Sequence, residues 1–284
     1  MVKNIYKLLH ISRPRFWLYT AGTYAVGVIA GVSTWQDLNS FSVLSYFVYF
    51  LIPANIFIYG INDLYDADTD ALNPKKDEKE HRLASAEHVW LKRILIVVSL
   101  LSAVLLVLAG NVVASAWFGL FLFLSWGYSA SPFRFKAKPF FDFASNLLYA
   151  IPGFIAYAQL TGNLPPLWVL IVAMCWTGAM HLFSAVPDIE VDKLAGIRTT
   201  AVALGKQNSL ILCAGLWLTA ILSAYFGHFS IIVIVLGLVY FVVPCVLVLR
   251  PNISVTKAYW YFPYLNSIFG LLLFWSIALT KPYA

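Results

Sequence analysis

The chain has 284 residues, of which 61% are hydrophobic, 17% aromatic and only 11% charged, with a formal net charge of +6. Soluble domains carry roughly 25% charged residues, so this composition excludes a water-soluble globule and points to a chain built for a lipid bilayer. The positive balance needs no nucleic-acid partner, because basic loops at a membrane surface account for it.

A membrane-crossing helix takes about 20 mostly apolar residues. Nine segments meet that expectation, near 16–33, 41–61, 91–109, 112–128, 143–161, 167–186, 208–227, 230–249 and 259–279. They occupy most of the chain and leave no long polar block or Pro/Ser-rich linker. The expected fold class is therefore an all-α integral membrane protein with nine transmembrane helices, a single domain over residues 1–284. The first segment is rich in Trp and Tyr and is followed by eight more, so it reads as a helix and not as a secretory signal. Cys175, Cys213 and Cys245 all fall inside expected spans, where a free thiol behaves as a small buried hydrophobe.

Nine alternating helices put the N-terminus and the loops after helices two, four, six and eight on one face. That face holds 18 of the 19 Lys and Arg residues, with Lys281 opposite. By the positive-inside bias it is the cytoplasmic face, as in a bacterial or archaeal inner membrane. The carboxylates gather there too, 12 of 13, Asp37 being the exception. Acidic residues contribute little to topology, so a different requirement collects them.

In "NIFIYGINDLYDADTD", Asn62, Asp66 and Asp70 recur at i, i+4 and i+8, a slowly drifting stripe on a helix, with Asp63 at its flank. After the sixth segment, "SAVPDIEVDKLAGIRTT" repeats the spacing with Asp188 and Asp192. Like charges at i, i+4 destabilise a bare helix, which points to a bound cation. Carboxylate and amide oxygens without His or Cys suit Mg2+ rather than zinc, and Mg2+ commonly bridges carboxylates to substrate phosphates. Candidate phosphate partners on the same face are Arg82, Arg134, Lys136, Lys193 and Arg198, with Arg13 and Arg15 in addition. Asp77, Glu78, Glu80 and Glu87, mixed with lysines, read as a solvated loop, and Asp68 and Glu190 fall on the far side of their helices.

Together these residues resemble the UbiA superfamily of intramembrane prenyltransferases. Its Asn-Asp-x-x-Asp-x-x-x-Asp motif looks like Asn62, Asp63, Asp66 and Asp70, and its Asp-x-x-x-Asp motif like Asp188 and Asp192. "YSASPFRFKAKPF" is similar to the family's Tyr-Ser-x-x-Pro-x-Arg-x-Lys loop through Tyr128, Ser129, Pro132, Arg134 and Lys136. "HRLAS" departs from the family's Arg-Pro-Leu, because no proline follows Arg82. "SRPRFWLYTAG" and "FSAVPDIEVDKLAGIRTTAVALG" look like the lycopene elongase branch, which prenylates carotenoid ends with dimethylallyl diphosphate.

The resemblance implies a UbiA-like bundle whose central cavity is capped on the cytoplasmic side. It also implies Mg2+ and a prenyl diphosphate held by the aspartate motifs, and transfer of the prenyl group to a lipophilic acceptor, a carotenoid such as lycopene. Asn55, Tyr128 and His181 are expected at the acceptor or cavity, His181 as a possible proton acceptor. An aromatic acceptor of quinone biosynthesis would need the same diphosphate chemistry. An ion-coupled transporter would instead place its charges near the bilayer midplane and carry Gly/Pro-broken helices there. Here the charges lie at one edge.

Overall fold

The computed structural model describes residues 2–65 and 87–280. Every expected apolar segment is helical over most of its length. Among the described residues, six helices are long and apolar enough to cross a bilayer: Phe41–Tyr65, His88–Val107, Leu167–Leu194, Thr200–Phe226, Ile231–Leu249 and Val255–Ala278. Val112–Gly127 is apolar and shorter. The other two expected spans are helical in pieces. The first runs as a 3-10 turn Pro14–Phe16, a π-helical turn Leu18–Gly22 and then Thr23–Gly31, and the other as Phe141–Ala144, Ser145–Tyr149 and Ile151–Thr161. Prolines at 14 and 152 stand near these joints, where a missing amide proton tolerates a helix start better than a helix interior.

Large apolar side chains such as Leu100, Val107, Ile231, Val235 and Leu271 stand more than half exposed along these helices. A water-soluble surface does not carry apolar patches of that extent, whereas hydrocarbon accepts them, as in an integral membrane protein.

The described residues form two compact units. The first comprises residues up to Arg134 together with Ile151–Leu164. It contains α1 (Val2–Ile11), α2 (Thr23–Gly31), α3 (Phe41–Leu51), α4 (Pro53–Tyr65), α5 (His88–Val107), α6 (Val112–Gly127) and α7 (Ile151–Thr161). Pro53 separates α3 from α4 in what would otherwise be one long helix.

Helices α2 and α7 cross in backbone contact. A methyl group on Gly27 would lie 2.0 Å from the Gly153 carbonyl oxygen, and one on Gly153 would lie 2.8 Å from that of Thr23. Small residues at a membrane helix crossing let backbones approach and gain dispersion contact, since lipid tails remove the usual hydrophobic drive. Polar pairs fasten the same region. The Tyr24 hydroxyl donates to Gln159 Oε1 at 2.9 Å, and Asn111 Nδ2 donates to the Ala158 carbonyl at 2.8 Å. Beside them the buried rings of Tyr46, Tyr49, Phe50, Phe118 and Phe121 pack at centroid separations of 5.2–6.2 Å.

The second unit comprises Phe135–Ala150 and the residues from Pro165 onward. Its long helices are α8 (Leu167–Ala185), α9 (Thr200–Phe226), α10 (Ile231–Leu249) and α11 (Phe262–Ala278). Its core is aromatic, with Phe183, Trp217, Tyr240 and Phe262 all buried and Trp176 stacked on Phe269 at 4.9 Å. α9 is interrupted at Gly205, whose φ of 73° is left-handed, a conformation glycine adopts without a Cβ clash.

Two outcomes are expected. Gly27→Ala has no room against Gly153 and should lower stability by about 1–3 kcal/mol, the cost of overpacking, read as a lower unfolding midpoint in detergent. Asp37 sits on a surface turn, where the amides of Thr34 and Ser33 (2.9 and 3.3 Å) and the Thr34 hydroxyl hold its carboxyl below the ordinary range. A depressed carboxyl stabilises above its unfolded value of about 3.9 and loses that contribution as pH falls through its folded value. Protection of the Ser33 and Thr34 amides from hydrogen exchange, taken relative to the unstructured rate at the same pH, should fall in that acid window and not near neutrality.

Candidate active site

In the first unit, α4 delivers Asn62 and Asp63 in its last described turns. Asp66, Asp70 and Arg82 lie outside the described residues. Asn62 Nδ2 donates to Ser129 Oγ at 2.9 Å, tying the first motif to the Tyr-Ser loop. With its nitrogen end held there, the amide oxygen is the end suited to a cation.

Asp63 was expected among the metal ligands. Its carboxylate meets Arg13, Nη2 to Oδ1 at 3.0 Å, and is 2% exposed. The Arg13 guanidinium also lies over the Tyr59 ring at 4.5 Å, and its backbone is left-handed at φ 49°. Burial explains the arrangement, since a carboxylate taken out of water needs a counter-charge.

Asn55 is fully buried. Its Nδ2 reaches Thr20 Oγ1 at 2.8 Å and the carbonyls of Phe50 and Leu51 at 3.0 and 3.1 Å, at the α3/α4 break. These bonds serve backbone acceptors next to Pro53, while Asn55 Oδ1 has no partner among the described residues. Tyr128 is half-buried and caps α6, its amide bonded to the Leu124 carbonyl at 2.9 Å.

Arg134 carries the most telling geometry. Its φ is 40°, left-handed for a residue with a side chain, and its Nε is buried with no hydrogen-bond partner among the described residues. Backbone strain of this kind costs on the order of 1–3 kcal/mol and concentrates at functional sites. A buried donor left unpaired costs about as much. The guanidinium is thus suited to an acceptor such as a phosphate oxygen.

In the second unit, Lys136 lies on the 3-10 turn Phe135–Ala137. α8 gives way at Ala185 to a 3-10 turn Val186–Asp188 containing Pro187, and then to a short helix Ile189–Leu194. Asp188 stands at the N-cap of that helix and Asp192 on it, both half-buried. His181 lies one turn before the end of α8. Lys193 pairs with Glu190 at 2.9 Å on the surface, and Arg198 is exposed. Among the described residues no three His, Cys, Asp or Glu come together as a metal cluster. Asn62 in the first unit, and Asp188 and Asp192 in the second, each offer oxygen donors of the hard type that Mg2+ takes.

Sequence reasoning passed over Asp142, Thr199 and Thr200. Asp142 is fully buried, and its Oδ2 accepts from the Thr200 amide at 2.7 Å while its Oδ1 accepts from the Thr200 hydroxyl. Thr199 Oγ1 donates to Asp192 Oδ2 at 3.4 Å and accepts from the Val202 amide at 3.2 Å as the N-cap of α9. The signal available was Thr-Thr just before a helix, a common cap. Asp142, alone among aromatics, carried none.

Helices long and apolar enough to cross a bilayer, with large apolar side chains exposed along them, define an all-helical integral membrane protein. The profile of the UbiA prenyltransferase family matches residues 20–278, and the chain belongs to that family; it is a prenyltransferase. It is 42% identical over 265 residues to the lycopene elongase/hydratase of Haloferax volcanii, covering 93% of this chain and 85% of that one. With the lycopene elongase/hydratase of Halobacterium salinarum it shares 41% identity, over 93% and 94% of the two chains. A UbiA homolog from Archaeoglobus fulgidus, bound to DMAPP and Mg2+, has the same fold, with a TM-score of 0.70 at 23% identity over 96% of this chain and 99% of that one. Family membership removes the transporter reading.

Breaking the buried pair tests its weight. Arg13→Gln removes the charge that faces the buried Asp63 carboxylate and should cost about 3–5 kcal/mol, seen as a large fall in the unfolding midpoint. Arg13→Gln combined with Asp63→Asn should recover part of that loss.

Proposed function

We propose that this protein transfers a dimethylallyl group from dimethylallyl diphosphate to the end of a carotenoid such as lycopene, with Mg2+ as cofactor. The observation that carries the reading is likeness along nearly the whole chain to two lycopene elongase/hydratases, at 42% and 41% identity. The unpartnered, buried Nε of Arg134 supports the diphosphate half of it. We assign Asn62, Asp63, Asp66, Asp70, Asp188 and Asp192 to the metal, with Arg13 beside Asp63, and Arg82, Arg134, Lys136, Lys193 and Arg198 to the diphosphate. The N-terminus and both aspartate motifs face the cytoplasm, in keeping with 18 of 19 basic residues on that side.

Mg2+ bound there supplies positive charge that neutralises the diphosphate as a leaving group. The chain's own residues do the rest. Arg134 and Lys136 donate charge-assisted hydrogen bonds to the phosphate oxygens, strongest as negative charge develops when the allylic C–O bond breaks. The acceptor's double bond then forms the new C–C bond to the allylic carbon. Apolar helix surfaces hold the polyene and keep water from the allylic cation. We assign to His181, on α8 one turn before its end, the uptake of the proton released when the product's double bond re-forms.

The test is pigment mass spectrometry of a lycopene-producing bacterium expressing the protein, beside its Asp66→Asn variant. Lycopene heavier by one or two five-carbon units, only with the unmodified protein, is the expected result. Unchanged lycopene with folded protein in the membrane would move the acceptor to an aromatic ring. Full conversion by Asp66→Asn would remove that residue from the metal site.

A further inference from the structure

The second aspartate motif is steadied by groups that stand outside it. Asp142 lies on the short helix Phe141–Ala144 and is fully buried. Its two carboxylate oxygens take the amide and the hydroxyl of Thr200, and the same hydroxyl accepts from the Phe140 amide at 2.6 Å. A buried carboxylate satisfied in this way fixes the chain at Thr200 from two directions, because losing either bond leaves a polar group stranded. Thr200 is fully buried and Thr199 is 6% exposed.

Thr199 therefore has little freedom. Its hydroxyl oxygen accepts from the Val202 amide, which leaves the hydroxyl proton directed at Asp192 Oδ2, 3.4 Å away. The backbone agrees with this placement. The Ile197 amide bonds to the Asp192 carbonyl at 2.8 Å, and Gly196 turns the chain with φ of 68°. Asp192 is thus held at both its backbone and its side chain by the segment that Asp142 anchors.

We propose that Thr199, fixed by the Asp142–Thr200 clamp, is a positioning residue that sets the orientation of the Asp192 carboxylate for the metal. The proposal rests on the assignment of Asp192 to Mg2+ given above. Partners of metal ligands commonly matter as much as this, their loss weakening metal affinity by roughly 10–100-fold. A threonine hydroxyl that both caps a helix and holds a ligand carboxylate gives its loss two separable effects.

The experiment measures Mn2+ binding by electron paramagnetic resonance, in detergent and with inorganic pyrophosphate present. It compares the unmodified protein with Thr199→Ser, Thr199→Gly and Asp192→Asn. Glycine is tolerated at a helix N-cap and has no hydroxyl to donate. Thr199→Gly should bind Mn2+ about tenfold more weakly or worse, with a metal-free unfolding midpoint close to that of the unmodified protein. Thr199→Ser should bind normally.

Normal binding by Thr199→Gly together with loss in Asp192→Asn would overturn the positioning role and leave the metal assignment standing. Normal binding by Asp192→Asn would overturn the metal assignment and the positioning role with it. If Thr199→Gly does not fold, Thr199→Ala decides: it has no hydroxyl and brings no new metal ligand. Its binding should weaken as far, and normal binding by it would overturn the inference.

Discussion

Hydrocarbon offers no hydrogen bonds, so a backbone amide or carbonyl left unpaired in the bilayer costs several kcal/mol. Every apolar segment of this chain answers that constraint by becoming helical. Helices in turn have only their ends to offer chemistry, because the ladder consumes the backbone everywhere else. The second aspartate motif follows this rule: Asp188 and Asp192 follow the end of α8, and Thr199, which positions Asp192, begins α9. Where a helix must break inside the apolar region, a side chain closes the gap. Asn55 does so beside Pro53 by donating to the carbonyls of Phe50 and Leu51.

Burial sorts the aspartates, which spacing alone could not. Asp63 and Asp142 are 2% and 0% exposed, and each has a dedicated partner, Arg13 for one and Thr200 for the other. A carboxylate so enclosed is already compensated, and its charge holds the protein together. Asp188 and Asp192 are half-buried, one at the start of the short helix Ile189–Leu194 and the other within it. The division extends to the cations. Arg13 neutralises a buried partner and Lys193 meets Glu190 at the surface, whereas the buried Nε of Arg134 has no acceptor among the described residues.

Periodic features were legible in the sequence and local breaks were not. Apolar runs such as 230–249 translate directly into helix α10, since about 20 residues of one character leave a bilayer segment no other choice. The segment near 16–33 has the same composition yet splits into 3-10, π and α turns, because Pro14 and the packing of Gly27 on Gly153 act over particular atoms. The motif residues were readable through their i, i+4 spacing. Their supports were not, since Arg13 and Asp63 are 50 positions apart, Asn62 and Ser129 are 67, and Asp142 and Thr200 are 58. No periodicity links such pairs.

The two kinds of support have different physical consequences. The Arg13–Asp63 pair stores its energy in desolvated charge, so removing one member strands the other and the whole fold feels it. The Thr199 contact to Asp192 is long at 3.4 Å and joins a neutral donor to a carboxylate. Such a bond contributes little to stability on its own, because water would serve a half-buried carboxylate nearly as well. Its value lies in direction. A carboxylate held in one rotamer meets a metal without losing rotational freedom at that moment, and preorganisation of this kind raises affinity by reducing the ordering cost.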